Sequence, residues 1–254
     1  MLGFSEINTV DRCCLCGSSD ELTGEHKIKA STLRALFGGE KMMIGHFDGA
    51  SRPRLAQSVT SKAMHFRARV CGPCNSTRTQ AADVEFARFD ELARRIQAGG
   101  GNPAEAFDDP RYAVGTAEYL NVFRYLAKIL ACQLAEVGGP RLRALTDFAI
   151  GRSDRNVVRL AMDADPDYRT WFETTGDPQF AGHGGFGIDF SRSRRRPKGF
   201  FTSLTYGPLR YRFSVAFGIG VALALRFLHP EFYANAVRAF EEALVEEQRA
   251  QAAT

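Results

Sequence analysis

Apolar and basic side chains alternate strictly over residues 64–70. The apolar positions are Met64, Phe66, Ala68 and Val70, and the basic positions between them are His65, Arg67 and Arg69. Because successive side chains of a β-strand point to opposite faces, this period of two predicts a strand with one apolar and one basic face. The basic face would be available to phosphates, so its three residues are candidate substrate-binding residues.

Three further segments of the N-terminal third have extended patterns. Residues 22–30 predict a short extended segment. Residues 41–47 and 55–60 predict two strands within an insertion.

Two segments of the same third have helical patterns. Residues 31–37 predict a short helix with Ser31 as its N-cap and Gly38 as its stop. After Asn75, apolar residues recur at helical spacing and predict a helix that continues to about residue 98.

The C-terminal half mixes helical and strand patterns. Apolar stripes predict helices at residues 117–137, 140–150 and 230–250. Apolar runs bounded by glycine and proline predict strands at residues 157–162, 200–206, 209–217 and 221–228. Residues 163–185 are rich in proline, glycine and aspartate and predict loops.

The run Gly-Gly-Gly-Asn-Pro at residues 99–103 is the best candidate for a domain boundary. We therefore predict a first domain at residues 1–98 and a second α+β domain at residues 104–254. The predicted fold class of the whole chain is α+β.

Composition narrows the class of protein. The chain has 254 residues, a net charge of +4 and a pI near 8.8, which permits nucleic acid as a partner without requiring it. The N-terminus lacks the pattern of a signal peptide, and the longest apolar run, at residues 213–225, is too short to span a bilayer. We therefore expect a cytoplasmic protein without a membrane segment.

Two cysteine pairs have the spacing of metal ligands. Cys13 and Cys16 form the first pair, and Cys71 and Cys74 form the second. In a reducing compartment such pairs favour a structural Zn²⁺ over disulfides, although four buried free thiols are the alternative. Cys14 lies one residue out of register and is assigned no role, and Cys132, on an apolar helix face, is expected in the core.

A Glu-His dipeptide between the pairs and an asparagine directly after the second pair complete a recognisable grouping. Over about residues 10–95 the chain resembles the HNH nucleases, the ββα-metal endonucleases, in their four-cysteine zinc branch. The residues that carry the resemblance are, in the order of that family, Cys13, Cys16, Glu25, His26, Cys71, Cys74 and Asn75.

The resemblance implies a role for each of these residues. His26 would be the general base that activates water, since an imidazole accepts a proton near neutral pH. Glu25 and Asn75 would bind a catalytic Mg²⁺ or Mn²⁺ through oxygen. Arg78 matches a basic residue that the family uses near the phosphate. The implied activity is hydrolysis of DNA phosphodiester bonds.

The sequence departs from the family pattern in two places. The second cysteine pair begins only at residue 71, although simple zinc ribbons separate their pairs by about 15 to 20 residues. Many family members also have a second histidine a few residues after the asparagine, and residues 76–80 contain none. Thr79 or Asp83 is the alternative donor on that helix.

Other functions remain open for the same residues. Glu25 could be a surface carboxylate, Asn75 a helix N-cap and Arg78 an exposed helix residue. The chain would then be a non-catalytic zinc module that binds nucleic acid or a partner protein. A ribonuclease with the same motif is a further alternative, so DNA and RNA both remain candidate partners.

The C-terminal half leaves its own role open. The basic run at residues 192–198 predicts either contact with nucleic acid or a solvated face. Nuclease modules joined to an unfamiliar second domain occur in restriction and anti-phage systems, so we also consider a regulatory protein partner or a homo-oligomer.

Overall fold

Helices and antiparallel strands both run through the computed structural model of the chain, which describes residues 4–9, 11–38, 42–44, 54–56, 58, 61–191 and 196–252. This mixture agrees with the predicted α+β class. The strands are β1 (Phe4–Ile7), β2 (Leu22–His26), β3 (Met42–Ile44), β4 (Arg54–Ala56), β5 (His65–Cys71), β6 (Pro140–Leu142), β7 (Val158–Ala164), β8 (Ala181–His183), β9 (Gly187–Ser191), β10 (Arg196–Tyr206) and β11 (Leu209–Ala216).

The α-helices are α1 (Ala30–Phe37), α2 (Gly72–Asn75), α3 (Gln80–Ala98), α4 (Ala117–Glu136), α5 (Arg143–Ala149), α6 (Pro166–Thr175), α7 (Ile219–Leu228) and α8 (Pro230–Ala252). Short 3-10 helices lie at Lys62–Met64, Pro103–Asp108 and Pro110–Tyr112. Within the described parts of the chain, none of the helices combines the length and the apolar character needed to cross a bilayer.

Strands β2 and β5 form an antiparallel hairpin, and the alternation predicted for β5 is confirmed. Its four apolar positions are buried, whereas Arg67 and Arg69 are exposed and His65 is half-buried. The isolated pairing of Cys13 with Arg69 extends this sheet at the second edge of β5.

The register between β2 and β5 shifts in the middle of the hairpin. Gly24 pairs with Arg69 and His26 pairs with His65, so one residue of β2 lies opposite three residues of β5. Such a bulge removes backbone groups from the ladder. The N–H groups of Arg67 and Ala68, 2.6 and 3.2 Å from Glu136 Oε2, are donated to that carboxylate at the end of α4.

The larger sheet of the C-terminal half has the order β7-β11-β10-β8, and β9 also pairs with β10. One face carries Tyr211, Phe213 and Val215 of β11 into the core, and the other face carries Arg210 and Arg212 outward. The predicted strands at 157–162, 200–206 and 209–217 are thus confirmed with shifted ends.

Helix α4 connects the two halves of the chain. Its residues 122–134 are buried on nearly all sides, because α3, α5, β5 and the large sheet all pack against it. Tyr125 stacks on Phe86 of α3 with ring centroids 4.1 Å apart. Strand β1 also pairs with β6, so the core is continuous across residues 99–103. The division into two domains stays a prediction.

The strand predicted at residues 221–228 is wrong, because this segment is helix α7. An apolar run alone does not distinguish a strand from a buried helix. Its buried residues Val221, Ala222 and Leu225 follow helical spacing, and Leu223 and Phe227 point outward.

Three other predictions need correction in the C-terminal half and at α1. Residues 163–185 contain α6, whose N-cap Asp165 accepts the N–H of Asp167 and Tyr168, as well as β8. The helix predicted at 140–150 begins as β6, because that segment pairs with β1, and only then continues as α5. Helix α1 begins one residue before Ser31, with Lys29 as its N-cap.

The remaining N-terminal predictions are confirmed in part. The extended segment predicted at 22–30 is β2, which ends at His26. The helix predicted directly after Asn75 begins only at Gln80, as α3. The predicted insertion strands appear as β3 and β4, which pair with each other. The other residues of 41–47 and 55–60 lie outside the described residues, apart from residue 58.

We predict that Glu136→Ala lowers the free energy of unfolding by about 1–3 kcal/mol, because it leaves two backbone N–H groups of β5 without their acceptor. Urea unfolding followed by circular dichroism measures this. The control is Glu173→Ala, an exposed glutamate of α6, which should change stability by less than about 0.5 kcal/mol. Equal effects of the two substitutions would contradict the role of Glu136.

Candidate functional site

The four predicted zinc ligands come together at one end of the β2–β5 hairpin. Cys13 and Cys16 lie on a turn before β2, which closes through Gly17 at a φ of +81. Cys71 ends β5, and Cys74 follows in α2. The four Sγ atoms all lie within 4.8 Å of one another.

This cluster fits a tetrahedral zinc ion. Zn–S bonds of about 2.3 Å place sulfurs about 3.8 Å apart, and the Sγ atoms of Cys16 and Cys71 are 3.5 Å apart. Three of the cysteines are buried and Cys16 is half-buried. The four cysteines are therefore positioned to bind a metal ion, and four thiolates would leave no open position for catalysis.

Hydrogen bonds within and beside the cluster set the charge on its sulfurs. A hydrogen bond with Cys74 lowers the pKa of Cys13 to about 4, and the same contact raises the pKa of Cys74. The guanidinium of Arg78 donates to Cys74 Sγ at 3.4 Å. Arg78 therefore lies against the cysteine cluster, where it offsets negative charge on the sulfurs.

Glu25, in β2, contacts a partner outside this cluster. Its carboxylate is almost fully buried, and its Oε1 lies 3.0 Å from Nζ of Lys128 in α4. The same Nζ lies 2.6 Å from Oδ1 of Asp83 in α3. The ammonium of Lys128 is thus a buried cation held between carboxylates of β2 and α3.

The protonation of these groups follows from burial and from their mutual attraction. Burial raises the pKa of Glu25, and the nearby Lys128 only partly opposes that shift. Burial alone would lower the pKa of Lys128, but Glu25 and Asp83 together raise it. Lys128 is therefore charged at neutral pH, and the ammonium holds the two carboxylates together.

His26 and Asn75 both contact residues of the β2–β5 pair. The His26 ring contacts the ring of His65 across the hairpin, with centroids 3.9 Å apart. The side-chain nitrogen of Asn75 donates to Thr23 Oγ1 at 2.9 Å and to the carbonyl of Gly24 at 3.3 Å. The amide of Asn75 therefore fastens α2 to β2.

Of the two predicted donors for a catalytic Mg²⁺ or Mn²⁺, Glu25 already has Lys128 as its cation. The hydrogen bonds of Asn75 to β2 use its amide nitrogen and not the oxygen that would bind a metal. The assignment of both residues as metal ligands stays a prediction. Of the two alternative donors, Thr79 donates its buried hydroxyl to the carbonyl of Cys74, and Asp83 binds Lys128.

The remaining predicted substrate-binding residues lie on the outer side of the hairpin. His65 Nδ1 lies 3.2 Å from the carbonyl of Ser61. Arg67 is exposed and lies 3.6 Å from Glu136, and Arg69 donates to the carbonyl of Leu22 at 3.3 Å. The two guanidinium groups remain accessible to a phosphate.

Several residues that carried no assignment now have contacts. Cys14 Sγ lies 3.7 Å from Cys132 Sγ, and both thiols are buried, so the prediction of a core position for Cys132 is confirmed. Burial lowers the pKa of His183 to about 4, and this imidazole contacts Gln133. His46 and residues 192–195 of the basic run lie outside the described residues.

The sequence analysis missed Lys128, which is the centre of the polar contacts around Glu25. A signal was present, because a single lysine interrupts the apolar stretch of the helix between Leu126 and Leu130. A charged residue at such a position is almost never fully buried unless it is paired. The carboxylates that pair with it are 45 or more residues away in the sequence.

Comparison with protein-family models, with curated proteins and with solved structures finds no match to this chain.

We predict that the purified protein binds one Zn²⁺ per chain and that Cys71→Ser abolishes this binding. The reason is that three remaining sulfurs cannot close the site, so the hairpin end loses its cross-link. Metal analysis by mass spectrometry and thermal unfolding measure both effects. The control Cys14→Ala removes a buried thiol outside the cluster and should keep the zinc; loss of zinc in both variants would contradict the assignment.

We predict that Lys128→Met lowers the free energy of unfolding by about 3–5 kcal/mol, because it leaves two carboxylates in the interior without their cation. Adding Glu25→Gln to this variant should restore part of the loss. Urea unfolding of the single and double variants measures the coupling.

The matched control for Lys128 is Lys198→Met, which breaks a partly exposed ion pair with Asp189 at 3.4 Å. That substitution should cost no more than about 1 kcal/mol. A similar loss in both lysine variants would show that Lys128 has no special structural role.

Proposed function

We propose that this chain is an HNH-type, metal-dependent endonuclease that hydrolyses DNA phosphodiester bonds, with His26 as general base. The observation that carries the proposal is the hairpin β2–β5 followed by α2 and α3, with the cysteine cluster at its end. This is the strand–strand–helix order of the ββα-metal family. It places His26 beside His65, on the hairpin that also carries exposed Arg67 and Arg69.

The chemistry of the hairpin supports hydrolysis of a phosphodiester. An imidazole takes a proton from water near neutral pH, and His65 beside it is a second group that can exchange protons or contact a phosphate. Arg67 and Arg69 supply positive charge on the same hairpin, which binds a polyanion with strong salt dependence. The structural zinc would hold this hairpin together without taking part in the reaction.

A catalytic metal would compete with Lys128 for the carboxylate of Glu25. Glu25 would have to release Lys128 before its carboxylate could bind Mg²⁺ or Mn²⁺. We therefore assign no step of the reaction to that metal. The plasmid assay with Mg²⁺ or Mn²⁺ and with EDTA measures whether cutting requires a divalent metal.

A non-catalytic zinc module that binds nucleic acid is the second candidate. Two observations favour it: the ion pair that engages Glu25, and the burial of Nε2 of His26 away from solvent. In this alternative the cysteine cluster and the basic side chains keep their roles. The Glu-His dipeptide then serves the packing of β2 against α4.

We predict that the protein nicks and linearises supercoiled plasmid with Mg²⁺ or Mn²⁺, that EDTA stops the reaction, and that His26→Ala lowers the rate at least about 100-fold. Removal of the base slows attack by water while the basic residues still bind the substrate. Gel electrophoresis of the plasmid measures the cutting. A matched RNA substrate tests the ribonuclease alternative.

A second site variant, at Asn75, is compared with a control at the next residue. Asn75→Ala should lower the rate, whereas Ser76→Ala, which removes an exposed hydroxyl one residue away, should leave it within about twofold of the wild type. If wild type and His26→Ala bind DNA equally and neither cuts it, the binding module replaces the nuclease.

A further inference from the structure

The outer face of the C-terminal sheet forms a trough with a volume of about 560 Å³. That volume lies in the range of about 300–1,000 Å³ that is typical of ligand clefts. Its floor consists of residues with small side chains, which keep the backbone of three strands and of the connection between β8 and β9 close to the surface. The floor residues are Ala161, Gly184, Gly185, Gly199, Ser203, Ser214 and Ala216.

The register of the sheet orders the trough into rows. Phe201 of β10 lies opposite Ser214 of β11, which lies opposite Arg159 of β7. In the next row Ser203 lies opposite Arg212. The first row therefore runs from an aromatic ring across a serine to a guanidinium, so the Phe201 ring and the Arg159 cation lie on opposite sides of β11. In the second row a serine lies directly beside a guanidinium.

The side chain of Phe201 lies on the outer face of the sheet and not in the core. Its side chain is 47% exposed, although neighbouring Phe200 is fully buried. Phe201 pairs with Gly187 of β9, and a Cβ at Gly187 would overlap the Phe201 ring. The ring therefore covers the glycine and leaves about half of its surface open to solvent, so that a base could stack on it as on the aromatic platforms of single-strand binding proteins.

The charges of the trough are mainly positive. The charged residues that line it are Arg159, Arg210, Arg212 and Asp189. Beside the trough, Asp163 pairs with Arg210 and Arg212, and Lys198 pairs with Asp189. Among the described residues, Arg159 has no ion-pair partner. The trough thus offers guanidinium groups to an anion and an aromatic face to a flat ring.

We propose that this trough binds single-stranded nucleic acid. A single strand presents phosphates and unstacked bases together, whereas a duplex keeps the faces of its bases inside the stack. One base would stack on Phe201, while phosphates contact Arg159 and Arg212 across the small residues of the floor. The proposal deepens the proposed function, because it gives the second half of the chain a substrate contact, but binding here does not require cleavage.

The test is fluorescence anisotropy with a labelled single-stranded DNA of about twelve nucleotides. All proteins carry His26→Ala, so that the probe stays intact. Arg159→Glu and Phe201→Ser should each weaken binding at least about tenfold, because one removes a phosphate contact and the other a stacked base. The control Arg238→Glu, an exposed arginine of α8 outside the trough, should stay within about twofold.

The salt dependence of the affinity is a second measurement. It would not change if Arg159 only stabilised the fold. Arg159→Gln should reduce the slope of log affinity against log salt by about 0.7, the value for one lost contact to a single-stranded phosphate. Thermal unfolding checks that each variant is folded. If Phe201→Ser does not fold, Arg159→Gln still tests the proposal.

Four outcomes would overturn the proposal: absence of binding, equal affinity of trough and control variants, equally tight binding of a duplex of the same length, or equally tight binding of ATP. If plasmid cutting depends on His26 but the protein does not bind the oligonucleotide, the trough proposal is wrong and the nuclease proposal stands. If oligonucleotide binding depends on Arg159 but the protein does not cut plasmid, the nuclease proposal is wrong and the trough proposal stands.

Discussion

The ammonium of Lys128 is the point on which the arrangement of the two halves depends. It lies in the middle of the buried helix α4 and bridges Glu25 of β2 and Asp83 of α3. A buried charge is costly unless it is paired, so the three segments must approach in one geometry for the interior to be stable. The orientation of the hairpin against α4 is therefore specified by an electrostatic contact and not by apolar packing alone.

This contact also bears on the chemistry of the site. In the proposed nuclease, Glu25 belongs to the reacting centre, and the same carboxylate holds the hairpin to the second half of the chain. Catalytic and structural demands thus meet in one side chain. Because Lys128 lies in α4, the charge and position of the Glu25 carboxylate depend on how α4 packs. That helix lies far from the cysteine cluster in the sequence.

Much of the local structure could be predicted from the sequence, because it depends on neighbouring residues. The alternation at 64–70 and the spacing of the cysteine pairs are local signals, and β5 and the four-sulfur cluster follow from them. Lys128 could not be placed in the same way, since its partners come from other segments. Helix α7 was mistaken for a strand because its apolar run has no clear period until the burial of Val221 and Leu225 is known.

The candidate site was predictable as a set of residues but not as a geometry. The sequence places Glu25, His26 and Asn75 near the cysteine cluster, and the structure does bring them to the same hairpin. It does not follow from the sequence that Glu25 is engaged by a cation from α4. That arrangement arises from the packing of a helix that begins more than 90 residues later.

The two N–H groups that Glu136 accepts lie in a strand with a single ladder partner. An open strand edge is a template for pairing with another molecule. The carboxylate at the end of α4 and the turn at Cys14, whose N–H is donated to the carbonyl of Arg69, close that template. A fragment ending before α4 would leave these two N–H groups without their acceptor, so the second half of the chain also protects this strand from pairing with another molecule.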